Sequence, residues 1–79
     1  MYMFLSFRDP EINKNKGVCI VKAKSLGEAL TKSWDKKINP GGEVLGTKMN
    51  QAEFKSEGLK LNKLYTRKEM KEQGYKIGV

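Results

Sequence analysis

A helix bracketed by its own start and stop signals constrains this chain more than any other feature. Ser25 and Glu28 stand at the spacing of a capping box, in which hydroxyl and carboxylate satisfy the unpaired amides of a first helical turn. Leu26, Ala29, Leu30, Ser33, Trp34 and Ile38 then recur at helical spacing as one stripe, so residues 25–37 are predicted helical. Trp34, the largest of them, is expected to lie over a sheet as core. Lys36 and Lys37 fall in the predicted last turn, where the negative end of the helix dipole favours cations. Asn39 is expected to take the left-handed stop conformation, and Pro40 bars continuation.

On either side the apolar period changes from helical to two. YMFLSFR (2–8) places Met3, Leu5 and Phe7 on one face of a strand and Tyr2, Phe4 and Ser6 on the other. In GVCIVKAK (17–24), Cys19, Val21 and Ala23 share a face, and the polar run 9–17 between these strands reads as the connection of an antiparallel hairpin. EVLGTKM (43–49) is a third strand, with Gly46 a bulge or a point of close approach. Strand, helix and strand in that order predict a right-handed crossover, with the third strand parallel to the second.

The last thirty residues carry weaker signals. Asn50 and Glu53 cap one or two turns that end at Gly58. LKLNKLY (59–65) reads as an edge strand or an extended arm. Thr66 and Glu69 form a second capping box, with Tyr65 and Met70 at the spacing of a hydrophobic staple, so 67–73 is a short helix stopped by Gly74 before the tail YKIGV. The expected fold class is α+β. Residues 1–79 form a single domain: a β-hairpin, a β-α-β crossover, a three- to four-stranded sheet, one main helix and a short C-terminal helix.

Residue types remove several chemistries. There is no histidine, which excludes the usual catalytic triads and most metal hydrolase sites. Cys19 is the one cysteine, so a disulfide within the monomer is excluded and a metal site is not expected. It lies mid-strand, where a thiol is normally buried and inert. With no paired carboxylates at a meaningful spacing, the reading is of a protein that is not an enzyme and needs no cofactor. A domain this small often gains stability by self-association, and a homo-oligomer is the aid left open. MYMFLSF lacks the basic start of a secretory leader, and no apolar run approaches the roughly 18 residues that span a bilayer. A cytoplasmic protein without a membrane partner is expected.

The net charge of +7 favours anionic partners. Only Arg8 and Arg67 are arginines, and lysine is the poorer residue for bidentate recognition of phosphate and guanine. The segment NPGGE lacks the glycine-lysine-serine ending of a phosphate-binding loop and follows a helix rather than a strand. It is either a stop-and-turn or a site where Gly41 and Gly42 expose amides to an anion while Glu43 accepts from hydroxyls. Lys60, Lys63, Arg67, Lys68, Lys71 and Lys76 cluster near the end of the chain, with Tyr65 and Tyr75 among them. They form a solvated face or a cleft wall for phosphate. Arg67 and Lys68 in a first helical turn gain nothing from the dipole, which points to a ligand. Tyr2 and Phe4 read as packed under the C-terminal segment or in a subunit contact rather than as base-stacking residues.

LSFRDPE, GVCIVKAKSLGEAL, Trp34, INPGGEVLG and LYTRKEM together resemble a group of short, mostly uncharacterised bacteriophage and prophage proteins. Those proteins share a strand, a second strand of the pattern GV-I-V-A, a helix with tryptophan, an NPGGEV-G segment and a closing helix cap. This chain departs from them in its lysine- and asparagine-rich hairpin connection and in Lys68 preceding Glu69. The resemblance implies a small phage-type binding protein that counters host defence in the host cytoplasm. The most specific form sequesters a small anionic nucleotide signal, with Gly41, Gly42 and Glu43 lining the pocket, Arg67 and Lys68 near phosphate, and Tyr65 or Trp34 as a flat surface. A protein–protein inhibitor or accessory factor acting on a host defence protein is the alternative, and a nucleic-acid-binding protein the next.

Overall fold

The structure, a computed structural model, describes residues 1–74; the expected tail, with Tyr75 and Lys76, lies outside the described residues. Strand β1 (Tyr2–Asp9) is apolar on both faces, and this decides the architecture. A strand of that kind must be covered on both sides and flanked on both edges. Strands β2 (Lys14–Lys22) and β3 (Glu43–Met49) pair with it antiparallel, in the order β2-β1-β3. β3 therefore runs parallel to β2, as a crossover requires, with β1 between them. Leu5 sits at the centre of the sheet, opposite Cys19 on one side and Gly46 on the other.

The hairpin is tighter than the predicted 9–17 connection. Pairing runs to Asp9 and resumes at Lys14, leaving only residues 10–13 outside the strands. The register shifts between Phe7 and Arg8, which pair with Gly17 and Asn15 and leave Lys16 as the extra residue of a bulge. An unpaired bulge residue is re-aimed by the local twist. Gly46, by contrast, lies in an unbroken register and is a close-approach point rather than a bulge. A side chain there would begin 2.7 Å from the Leu26 Cδ1 atom.

Helix α1 (Leu26–Asp35) covers the face bearing Met3, Leu5, Phe7, Cys19 and Val21. Its buried stripe is Ala29 and Ser33, continued by half-buried Leu30 and by Ile38 beyond the helix end. Trp34 does not lie on the sheet; it is 60% exposed, and Leu26 is 41% exposed. The sheet has three strands, so small residues bring the helix close and the bulky ones at the margins of the stripe overhang it.

Half of the expected box at Ser25 forms. Its hydroxyl accepts the Glu28 amide, while the Glu28 carboxylate pairs with Lys32 instead. The stop is also displaced. Lys36 is the cap residue and Lys37, at φ 58°, takes the left-handed conformation expected of Asn39. Lys37 donates to the Trp34 carbonyl and Ile38 to the Ser33 carbonyl, the paired bonds of a Schellman closure, with buried Ile38 as its apolar contact. Burial of Ile38 fixes where the chain must turn, and Lys37 lies one residue before it. Both lysines thus sit beyond the helix rather than in its last turn.

The opposite face, with Val18, Ile20 and half-buried Tyr2 and Phe4, is covered by the C-terminal segment. α2 (Gln51–Glu57) starts at a complete Asn50–Glu53 capping box and stops at Gly58, and its Phe54 stacks on Tyr2 at 4.3 Å between centroids. Residues 59–65 return along the outer edge of β2. Tyr65 exchanges both backbone hydrogen bonds with Val18, and the Asn62 amide donates to the Ile20 carbonyl. The edge strand of the sequence reading is thus a single bridge. α3 (Arg67–Glu72) begins at the Thr66–Glu69 box, with Tyr65 and Met70 buried in one cluster as a staple requires. The protein is a three-layer α+β domain, and no helix of the described residues is long and apolar enough to cross a membrane.

Candidate functional site at the glycine turn

The turn 39–43 is built by Asn39. Its side-chain amide donates to Ser33 Oγ on α1, and its carbonyl oxygen accepts the Gly41 amide at 2.8 Å. One side chain therefore ties the end of the helix to the turn, which explains its place there better than a left-handed stop. Gly41 and Gly42 follow at φ 83° and 85°, so the chain reverses into β3 through two left-handed residues.

The two glycines have different reasons. A side chain on Gly42 would run into the backbone carbonyl of Arg8. That glycine lets the turn lie against β1 and is structural. A side chain on Gly41 would meet only the Lys16 ammonium, 3.8 Å away. Lys16, the bulge residue of β2, thus reaches across the end of β1 to the turn. It forms no ion pair with a carboxylate among the described residues.

Arg8 stands between them. Its guanidinium donates to Glu43 Oε2 and to Asn13 Oδ1, each at 2.9 Å, with the Arg8 and Glu43 side chains 47% and 59% exposed. Glu43 is thus oriented through Oε2 by a cation, and its other carboxylate oxygen remains an acceptor. Arg8, Asn13 and Lys16 join the site through the hairpin. The sequence signal for them is the antiparallel pairing of 2–8 with 17–24, which brings both ends of the connection to one place. Glu43 joins them because β1, not β2, is its neighbour.

Tyr65, Arg67 and Lys68, also expected at the site, lie on the C-terminal segment. Tyr65 is 3% exposed, its ring in the second core cluster and its hydroxyl accepting the Lys60 amide. A ring packed in a core offers no surface to a ligand, so Trp34 is the exposed aromatic of the expected pair. At α3, the first-turn amide that Thr66 satisfies and the carboxylate of Glu69 already occupy the position an anion would take. The backbone hydrogen bond from Thr66, its side-chain bond and the Lys63 ammonium hold Glu69 below the usual carboxylate range. Among the described residues no hydrogen bond or ion pair joins Arg67 or Lys68 to Gly41–Glu43. Arg67 is half-buried, with its Nε lacking a partner among the described residues.

An open groove of about 250 Å³ lies on the α2 side of the sheet, lined by Phe4, Thr47, Met49, Glu53, Ser56 and Glu57. Two glutamates make it a poor seat for an anion. Cys19 is fully buried and its thiol is pushed up to about 11 by that burial, so it carries no nucleophilic chemistry at neutral pH. No group of histidine, cysteine, aspartate or glutamate among the described residues is placed to hold a metal ion. The chain matches no protein-family model, no curated protein and no solved structure.

Proposed function

We propose that this chain is a non-enzymatic binding protein for a small anionic ligand of nucleotide type, seated on the Gly41 turn. The observation that carries the reading is the Lys16 ammonium, unpaired by a carboxylate among the described residues, 3.8 Å from where a side chain on Gly41 would begin. A cation held over bare backbone is the arrangement that phosphate oxygens recognise. Arg8 adds guanidinium donors beyond the two engaged by Asn13 and Glu43. Trp34, exposed on the helix that ends at this turn, is the flat surface available to a base. The absence of histidine and the buried state of Cys19 favour binding over turnover.

The resemblance to short phage proteins extends the reading: the ligand is a host defence signal, removed from the host cytoplasm by sequestration and recoverable intact after heating. Thermal unfolding against a panel of linear and cyclic nucleotides, with one short DNA duplex, tests it. A ligand at about 100 times its dissociation constant adds roughly 2.7 kcal/mol, which raises the Tm of so small a domain by about 10 °C or more. Lys16→Ala should remove most of that rise while leaving the ligand-free Tm unchanged. A flat panel overturns the reading. A rise with the duplex alone, lost steeply with salt, replaces it with nucleic-acid binding.

A further inference from the structure

The two edges of the sheet are treated differently by the fold. The outer edge of β2 is closed by Tyr65 and Asn62, whereas the outer edge of β3 has no strand against it among the described residues. β3 is also regular: seven consecutive pairs with β1, no register shift and no proline. It carries Leu45, which at 71% is the most exposed large apolar residue of the described chain. Edges of this kind are usually blunted by a bulge, a proline or a charge at mid-strand. Here the one lysine, Lys48, sits near the end.

We infer that β3 pairs with β3 of a second copy of this chain, antiparallel across a two-fold axis at Leu45, to make a continuous six-stranded sheet. The register follows from side-chain matching. Residues directly opposite each other share a face, so the axis passes through a residue of β3. Placed at Leu45, it sets Leu45 against the second copy's Leu45 on the α2 side of the sheet, with Glu43 opposite the second copy's Thr47. On the α1 side, Val44 comes opposite Gly46, and Leu26 lies over Gly46. Val44 of each copy therefore meets the overhanging Leu26 of the other. One register thus covers both Leu45 and Leu26.

The neighbouring registers do worse. An axis at Gly46 sets glycine against glycine and places Lys48 opposite Val44. An axis at Thr47 sets Lys48 opposite Gly46, under Leu26, where the ammonium loses water without gaining a partner. The Leu45 register ends at Glu43 and Thr47, because Gly42 turns away at φ 85°, and leaves Lys48 in solvent. No like charges stand opposite each other. A second copy is favoured over an unrelated extended segment because this match depends on Leu45 meeting itself.

Each copy carries +7, so the long-range field opposes the contact and salt should tighten it. Salt acts in the opposite direction on an anion bound at Lys16, which keeps this proposal separable from the proposed function. Sedimentation of the wild-type protein across a concentration series, at low and high salt, is the test. A concentration-dependent dimer that strengthens with salt is expected. Leu45→Lys, at a position already exposed in the monomer, should raise the dissociation constant by at least about tenfold without changing the circular dichroism. Under mild oxidation Leu45→Cys should cross-link to a dimer, since facing residues of antiparallel strands are about 4.5–5.5 Å apart at Cα, within disulfide reach. Thr47→Cys, which faces Glu43 in this register, should not. A monomer at every concentration overturns the proposal. So does a dimer indifferent to Leu45→Lys, or equal cross-linking at both positions.

Discussion

The two adjacent glycines illustrate how unlike neighbouring residues can be. Both are left-handed, so either substitution by alanine adds roughly 1–2 kcal/mol of backbone strain. At Gly41 that is the whole effect, because the added methyl meets only the end of Lys16. At Gly42 it must also displace the Arg8 backbone and the start of β3. Urea unfolding is expected to give a loss of about 1–2 kcal/mol for Gly41→Ala and about 3–4 kcal/mol for Gly42→Ala. Comparable losses would mean that the turn does not lie against β1. Lys37 offers the converse case. A lysine at φ 58° holds the Schellman closure where glycine is the preferred residue. Lys37→Gly should therefore raise stability by about 0.5–1 kcal/mol, and a loss of stability would show that its side chain contributes more than its backbone strains.

At the scale of elements, the two short C-terminal helices survive by their caps. Isolated helices of six or seven residues are unstable in water. Each has a reciprocal box, at Asn50–Glu53 and Thr66–Glu69, whereas the ten-residue α1 forms only half of its box and relies on burial. The α3 cap makes stability pH-dependent with a defined sign. The Thr66 amide favours the Glu69 carboxylate, so its folded pKa lies below the usual value near 4.5. The charged form then stabilises the fold fully above that value, and the contribution is lost as pH falls through the lower folded pKa. Tm measured between pH 3 and 6 should fall less steeply in Glu69→Gln, which retains the reach of the box without the charge. Parallel curves for the two proteins would remove Glu69 from the account of acid sensitivity.

For the whole molecule, the decisive fact is that β1 is apolar on both faces and takes the centre. α1 then covers one side and the C-terminal segment the other, and Cys19 is enclosed between sheet and helix. Its thiol has no local route to solvent, so its reaction should report global unfolding. Labelling by a disulfide reagent at pH 8 should be negligible in the native protein and prompt in denaturant. Core variants such as Phe7→Ala, with an expected loss of about 3–5 kcal/mol, should accelerate labelling about tenfold for each 1.4 kcal/mol of lost stability. Prompt native labelling would mean that one layer opens independently.

Most of the elements that rest on local chemistry are legible in the residues alone. The caps at Ser25, Asn50 and Thr66, the stop at Gly58, the strand 43–49 and the two apolar faces of 2–8 are all set by residues a few positions apart. The α+β class follows from their order. That β1 lies between β2 and β3 is a matter of long-range packing, and the site depends on it. It places Glu43 against Arg8 and Gly42 against the Arg8 backbone, and the bulge at Lys16 turns that ammonium toward Gly41. The exposure of Trp34 is not legible in the sequence, because helical spacing shows a stripe but not its width, which the narrow sheet sets. Tyr65 fills the staple position that its spacing to Met70 predicts, yet an aromatic in a basic segment looks the same in sequence whether it stacks a ligand or fills a core. Which of the two it does depends on the uncovered sheet face that it packs against, and that face is assembled from strands distant in the chain.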